Sequence, residues 1–258
     1  MHSLHKNRPY RQGSGLAGSA TACPPPGRPV TAMGLSFANP LGLAAGCDRT
    51  GELVPSLRAC GFGHVEVGTI TPATGYVGPP GRLPSLRVGI NIGSDRPGLD
   101  ERVIEDYTTT LKRVFGHCDY VVANLSAPDL RRNGNTAGVA TLVNRLTVVR
   151  DVLSAVGGYR VPLLLKLDAG LHGTSFPAAI MAARVSSLDG IVLVSNCLDR
   201  IAAISTYLDG LALINVGEVG SADDVRARIG AGAKLVQVHN AYATGGRARI
   251  QRILKELA

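Results

Sequence analysis

The chain has 258 residues, of which 45% are hydrophobic, and this combination excludes general disorder and fits one domain with a large core. Aromatic residues make up 4% and tryptophan is absent, so the core must consist mainly of aliphatic side chains. The formal net charge is +8, but the basic residues form no stripe interleaved with aromatics, which argues against nucleic-acid binding.

The cysteines and the hydropathy pattern indicate in which compartment of the cell the protein is expected. The five cysteines are dispersed, with no C-x-x-C pair and no spacing typical of a metal site, which favours a reduced, cytoplasmic protein without a metal. No run of 18 apolar residues is present, and residues 1–30 lack the apolar stretch of a signal peptide. We therefore expect no membrane association.

Residues 1–32 have the composition of a flexible basic tail. They contain no acidic residue, and the run from Pro24 to Gly27 is incompatible with regular structure. The remaining residues, 33–258, form the predicted folded domain.

Short apolar runs alternate with helical patterns along this domain, as in repeated βαβ units. Their continuous hydrophobicity is typical of strands buried on both faces. Eight strands are predicted, near residues 40–45, 64–69, 87–92, 119–125, 162–167, 189–195, 211–216 and 234–239. We therefore predict an α/β fold of the TIM (β/α)₈ barrel type.

Helical patterns separate most of the strands. The predicted helices cover residues 51–60, 99–115, 137–157, 174–186, 198–208, 221–231 and 246–257, of which 198–208 has the weakest pattern. The exception is the connection between strands two and three, because residues 70–86 contain four prolines and three glycines. The barrel is therefore predicted to lack the helix between strands two and three.

Polar residues stand at the ends of these apolar strands, where a TIM barrel places its active site. They include Thr69, Asn91, Asn124, Lys166, Ser195, Asn196, Gly217 and His239. Lys166 lies within the run LLLKLD, and a central strand offers a lysine no nearby solvent, which favours a functional role. For the two asparagines a structural role as satisfied amides is equally open, while Thr69 is more typical of a cap and His239 of an ordinary rim residue.

Several segments resemble the dihydroorotate dehydrogenase family, and in particular its quinone-linked class. The similar segments, in family order, are MGLSFANPLGLAAGCDRTGE (33–52), GFGHVEVGTITP (61–72), GINIG (89–93), DYVVANLSAP (119–128), PLLLKL (162–167), IVLVSN (191–196) and AGAKLVQV (231–238). The resemblance implies an FMN-dependent oxidoreductase that converts dihydroorotate to orotate in pyrimidine biosynthesis. It also implies a small-molecule substrate at the barrel mouth.

The resemblance assigns roles to individual residues. It places FMN against the backbone of Ala45 and Gly46 and against the side chains of Thr69, Asn91, Asn124 and Lys166, with Ser195 and Gly217 also on the cofactor side. Lys166 would lie beside the N1–C2=O end of the flavin ring. Arg49, which replaces a family lysine, and Asn196 are assigned to the substrate.

The chain departs from the family pattern at three places. The position of the family's catalytic base is Ala127, which cannot accept a proton, and the asparagine that ends this motif is replaced by Asp129. The orotate-binding block expected after strand two is absent. The glycine pair expected at the phosphate is Gly217–Glu218, and a carboxylate there would repel a phosphate.

Two hypotheses follow. The first is a divergent FMN oxidoreductase of this family with weak or no activity on dihydroorotate. The second is a non-catalytic barrel that serves as a binding or assembly partner. The missing helix would uncover strands two and three, so a homodimer or another protein is expected to pack near residues 70–86, unless the apolar residues of that loop close the gap.

Overall fold

The structure, a computed structural model, describes residues 28–74, 83, 85–126, 136–171 and 173–258. Eight parallel strands form a closed barrel in chain order, in which the last strand pairs with the first. These strands are β3 (Leu41–Asp48), β4 (His64–Ile70), β5 (Arg87–Ile92), β6 (Tyr120–Asn124), β7 (Leu163–Asp168), β8 (Gly190–Val194), β9 (Ala212–Val216) and β10 (Leu235–Val238). The predicted TIM barrel fold and all eight of its strands are confirmed.

Helices cover the outside of the barrel. Among the described residues they are α1 (Val54–Arg58), α2 (Glu101–Val114), α3 (Thr136–Gly157), α4 (Ala178–Val185), α5 (Leu198–Leu208), α6 (Ala222–Gly230) and α7 (Asn240–Leu257). The described residues between β4 and β5 contain no helix, while residues 75–82 and 84 lie outside the described part. No helix within the described ranges is long and apolar enough to cross a membrane.

A small hairpin precedes the barrel and corrects the predicted tail boundary. Strand β1 (Val30–Ala32) pairs antiparallel with β2 (Leu35–Phe37), so regular structure begins inside the segment predicted to be flexible. Ala32 and Phe37 are buried and pack with inward-facing barrel residues, among them Tyr120. The hairpin thus packs against the inside of the barrel, at the amino-terminal ends of the strands. The predicted tail residues 1–27 lie outside the described part.

The strands bury both faces, as their continuous hydrophobicity predicts. Outward side chains such as Leu43 and Val65 pack in one large cluster with the helices, and inward ones such as Val122 and Leu164 form a second cluster with the hairpin. Glycine permits a close approach at Gly42, where an added Cβ would lie 2.2 Å from the ring of His64. The barrel interior is therefore a packed core that leaves room for ligands only at its mouth.

The missing helix was predicted to uncover the outer faces of β4 and β5, the second and third barrel strands. Their apolar side chains and those at the two ends of the connecting loop are all buried: Val65, Val67, Val88, Ile90, Ile92, Ile70 and Leu86. Arg113 of α2 also donates to the carbonyls of Thr71 and Pro72, at 2.6 and 3.2 Å, and so ties the start of the loop to that helix. A partner near residues 70–86 stays a prediction.

Candidate functional site

A cavity of about 460 Å³ opens at the carboxyl ends of β3 to β7, where a TIM barrel holds its active site. It is lined by Ala45, Gly46, Arg49, Gly68, Thr69, Thr71, Thr74, Gly93, Ser94, Asp95, Tyr107, Asn124 and Lys166. Two of these side chains are cationic, Arg49 and Lys166, and one is anionic, Asp95. The cavity therefore suits a polar ligand that carries or develops negative charge.

Lys166 is the most informative side chain of the lining. It stands on β7, is only 9% exposed, and its ammonium group forms no hydrogen bond to another described residue. An ammonium group on an otherwise apolar strand normally has an acceptor, and the cavity is the place where Lys166 can reach one. The geometry therefore indicates that a ligand in the cavity supplies an acceptor to Lys166.

A chain of hydrogen bonds forms the floor of the cavity. Asn124 Nδ2 donates to Thr69 Oγ1 at 3.2 Å, and Thr69 Oγ1 donates to Asn91 Oδ1 at 2.8 Å. Asn91 Nδ2 in turn donates to Glu66 Oε2 at 3.4 Å. All three donors point the same way, toward the carboxylate. Because the Thr69 hydroxyl already donates its hydrogen to Asn91, it can only accept a hydrogen bond from a ligand in the cavity.

Glu66 terminates this chain inside the barrel. Its carboxylate is buried, accepts from Gln237 Nε2 at 2.5 Å, and lies within electrostatic reach of Lys166. Burial raises the pKa of Glu66, while Lys166 and the two amide donors act against that rise. When ionised, Glu66 would compensate the charge of Lys166 without occupying its donors. The sequence analysis missed Glu66, although a carboxylate inside the apolar run HVEVGT carries the same signal as the lysine in LLLKLD.

Six of the ten predicted binding residues line the cavity together: Ala45, Gly46, Arg49, Thr69, Asn124 and Lys166. Asn91 lies beneath it, fully buried, and acts on Thr69 rather than on the cavity. The backbone at Gly46 has a φ of 113°, which a side chain would strain, so this position keeps the wall of the cavity flat. Ala127, the predicted position of the missing base, lies outside the described residues.

The other three predicted residues, Ser195, Asn196 and Gly217, lie at the ends of β8 and β9 and are not among the residues that line this cavity. The carboxamide oxygen of Asn196 accepts from the backbone N–H of Glu218 at 2.7 Å and from Arg228 Nη2 at 3.3 Å. Its predicted role as a substrate ligand stays a prediction, and its oxygen is already bound within the protein, to the loop after β9 and to helix α6.

Several lining residues were not predicted. Tyr107 of α2 donates to the carbonyl of Asn124 at 2.5 Å and so fixes the end of β6. Ser94 donates to Asp106 at 2.6 Å, which anchors the loop after β5. Burial raises the pKa of Tyr107 above its ordinary value, which keeps its hydroxyl a donor. These residues come from helices and loops, where a single sequence gives no sign that they face a strand end.

The chain is similar to known proteins over nearly its whole length. Residues 29–101 match the sequence family described as dihydroorotate dehydrogenase. Dihydroorotate dehydrogenase (quinone) of Halorhodospira halophila is 30% identical over 295 aligned positions, which cover 90% of this chain and 86% of the relative. That of Flavobacterium lutescens is 29% identical over 307 aligned positions, covering 95% and 87%. Both alignments are longer than the chain itself, so these relatives contain internal segments that it lacks.

The solved structures agree on the fold. The crystal structure of DHODH from Eimeria tenella in complex with ferulenol superimposes with a TM-score of 0.76 at 21% identity, over 95% of this chain and 86% of that one. The polar cavity thus lies at the mouth of a barrel whose architecture and sequence both match the same group of proteins. The chain belongs to the dihydroorotate dehydrogenase family.

Proposed function

We propose that the chain binds a flavin at the barrel mouth, as an FMN-dependent member of this family, and has weak or no activity on dihydroorotate. The observation that carries the proposal is Lys166, a buried ammonium group on the cavity that forms no hydrogen bond to another described residue. A flavin ring offers acceptors at its N1–C2=O end, and a cation there stabilises the negative charge of the reduced ring.

The residues of the cavity fit the ring of such a cofactor. Gly46, Gly68 and Gly93 leave the wall without side chains, and Thr69 and Asn124 supply polar atoms beside Lys166. The hydroxyl of Thr69, whose hydrogen is donated to Asn91, would accept a hydrogen bond from an N–H of the ring, while Lys166 would donate to a carbonyl oxygen. When bound, FMN supplies the two-electron acceptor of the family's reaction.

Three features support weak or absent turnover of dihydroorotate. The position of the family's base is an alanine, and loss of a general base costs about 10²- to 10⁴-fold in rate. The orotate-binding block is missing from the sequence, in line with the longer alignments of the relatives. Asn196, the predicted substrate ligand, is bound to Glu218 and Arg228.

The test of flavin binding is a titration of the purified protein with FMN, followed by visible absorbance and by quenching of flavin fluorescence. Lys166→Met keeps the length and apolar body of the side chain and removes its charge, so we expect FMN affinity to fall by about 10- to 100-fold. Lys234→Met removes a lysine from the surface and serves as the matched control. A folded wild-type protein that takes up no FMN would contradict the proposal.

The test of turnover is anaerobic reduction of the bound flavin by dihydroorotate, for the wild type and for Ala127→Ser. We expect very slow or undetectable reduction in both, because a restored hydroxyl does not replace the missing binding block. If expression of this chain alone allowed a pyrimidine-requiring strain to grow without added pyrimidine, that expectation would be contradicted. Placement in the cytoplasm stays a prediction.

A second candidate function, a non-catalytic barrel that binds a partner protein, is favoured by one surface. Helix α3 exposes Val148, Val152 and Val156 by 53%, 58% and 85%, and Met181 and Val185 are exposed on the neighbouring helix α4. Exposed apolar clusters on soluble proteins often mark contacts. Sedimentation at micromolar concentration, compared with a Val152→Glu variant, tests whether this surface binds a second copy of the chain: a monomer in both cases would contradict self-association.

A further inference from the structure

The loop after β9, residues 217–221, occupies the place where many TIM barrels bind a phosphate. In such barrels, the loops after strands seven and eight present backbone N–H groups to the anion. Here β9 is the seventh barrel strand, and helix α6 begins directly after the loop. The N–H groups of this loop therefore form one side of any such phosphate site, and the start of α7 after β10 forms the other.

Each of the four successive amides from Glu218 to Ser221 already has an acceptor within the protein. Glu218 N donates to Asn196 Oδ1 at 2.7 Å, and Val219 N donates to the carbonyl of Gly217 at 3.0 Å. Gly220 N and Ser221 N both donate to Asp224 Oδ2, at 2.9 and 3.0 Å. A phosphate would have to displace one of these acceptors for every hydrogen bond that it gained.

Asn196 takes the position that an anion oxygen would occupy. Its Oδ1 receives the Glu218 amide and also Arg228 Nη2 at 3.3 Å, while the same guanidinium nitrogen donates to the carbonyl of Glu218 at 3.1 Å. The oxygen lies so close to Gly217 that an added Cβ there would be 2.3 Å from it. Two cations lie beside these amides among the described residues. Arg228 donates to the carboxamide and to the loop through Nη2, and Arg249 Nη2 donates to the carbonyl of Gly220 at 3.3 Å, while the Nε atoms of both are buried without a hydrogen-bond partner.

The charges of the loop act in the same direction. Asp224 carries its carboxylate against two of the four amides, and the backbone donor of Gly220, followed by the donors of Ser221, lowers its pKa, so the group is ionised. Glu218 adds a second carboxylate on the loop itself. A phosphate at these amides would be repelled by both carboxylates, against the attraction of Arg228 and Arg249.

We propose that Asn196 and Asp224 close this loop to phosphate, so that the barrel selects a flavin by its ring alone and binds riboflavin nearly as well as FMN. This inference rests on the proposed function. It assigns Asn196 a role as an internal substitute for the phosphate oxygen.

The test compares FMN with riboflavin in fluorescence-quenching titrations of the full chain. For the wild type we expect dissociation constants within about tenfold of each other, because charge-assisted bonds to the phosphate contribute little. Asn196→Ala frees the Glu218 amide and Arg228, and should strengthen FMN about tenfold while leaving riboflavin unchanged. Asn144→Ala, on the outer face of α3, is the matched control and should change neither.

The outcomes separate this inference from the proposed function. FMN bound at least about a hundredfold more tightly than riboflavin by the wild type would overturn the closed loop and leave the flavin site standing. Failure of both flavins to bind would overturn the proposed function, and this inference with it. The wild-type comparison needs no variant, so instability of Asn196→Ala does not prevent a decision.

Discussion

The two halves of the barrel mouth treat their polar groups in opposite ways. In the half formed by β3 to β7, the ammonium group of Lys166 is buried on a cavity without a described hydrogen-bond partner. In the half that follows β8 and β9, each amide from Glu218 to Ser221 is bound by the protein itself. An ammonium group that lines a cavity without a described partner can donate to a ligand, whereas a backbone amide that already donates within the protein must lose that bond to do so. The contrast divides a single mouth into an open half and a closed half.

The largest expected effect is a loss of stability at low pH, which limits the comparison of the two halves to pH values where the protein is folded. His64 is fully buried at the amino-terminal end of β4, away from the mouth, and burial lowers its pKa to about 3. It stays neutral while the unfolded chain takes up a proton below its ordinary pKa of 6.5. Stability is therefore fully present above pH 6.5 and is lost as the pH falls toward 3, by about 1.4 kcal/mol per pH unit and on the order of 5 kcal/mol in all.

His64→Phe should remove this acid sensitivity, because both ring nitrogens of His64 lack partners and the variant loses only groups that cost free energy. The measurement is urea unfolding between pH 4 and 8 for the wild type, for His64→Phe and for the surface control His117→Phe. An equal loss of stability toward low pH in all three proteins would show that another group is responsible.

The next effect tests the floor of the open half. Thr69→Val keeps the shape of the side chain and removes the hydroxyl that joins Asn124 to Asn91. The buried Oδ1 of Asn91 then has no donor from Thr69, so the free energy of unfolding should fall by about 1–2 kcal/mol. Thr141→Val removes a hydroxyl from the exposed face of α3 and should cost far less. A similar cost in both variants would mean that the chain of hydrogen bonds does not stabilise the cavity.

The smallest expected effect concerns Glu66, whose desolvation is partly offset by Lys166, Gln237 and Asn91. Because burial raises its pKa, the folded protein binds this proton more tightly than the unfolded chain. The contribution of Glu66 to stability is therefore present at low pH and is lost as the pH rises from its ordinary value of 4.5 through the raised pKa. The free energy of unfolding of Glu66→Gln should rise relative to that of the wild type as the pH increases over that range, as measured by urea unfolding at each pH. A constant difference would mean that Glu66 does not titrate there.

The sequence predicts the barrel well because continuous apolar runs such as PLLLKL are a strong local signal. It misses the β1–β2 hairpin, whose three-residue strands follow a proline-rich segment and are held by packing of Phe37 inside the barrel. It also starts the last helix at residue 246, whereas α7 begins at Asn240 and is kinked at Gly246. Short elements of this kind depend on tertiary contacts rather than on periodicity.

The site follows the same rule. Lys166 was predicted because a cation in a buried strand is rare and costly wherever it occurs. The direction of the Asn196 side chain was not predictable, because it depends on Glu218 and Arg228, which are distant in the sequence. The local sequence identifies a charged residue within an apolar strand, but it does not tell which way an exposed amide side chain points.

Backbone hydrogen exchange with and without FMN compares the two halves of the mouth in one measurement. We expect FMN to protect the amides of residues 45–49 and 93–95, which border the cavity, and to leave those of residues 218–221 unchanged, because these already donate to Asn196, Gly217 and Asp224. Protection of residues 218–221 by FMN, or no protection around the cavity, would contradict the division of the mouth into an open and a closed half.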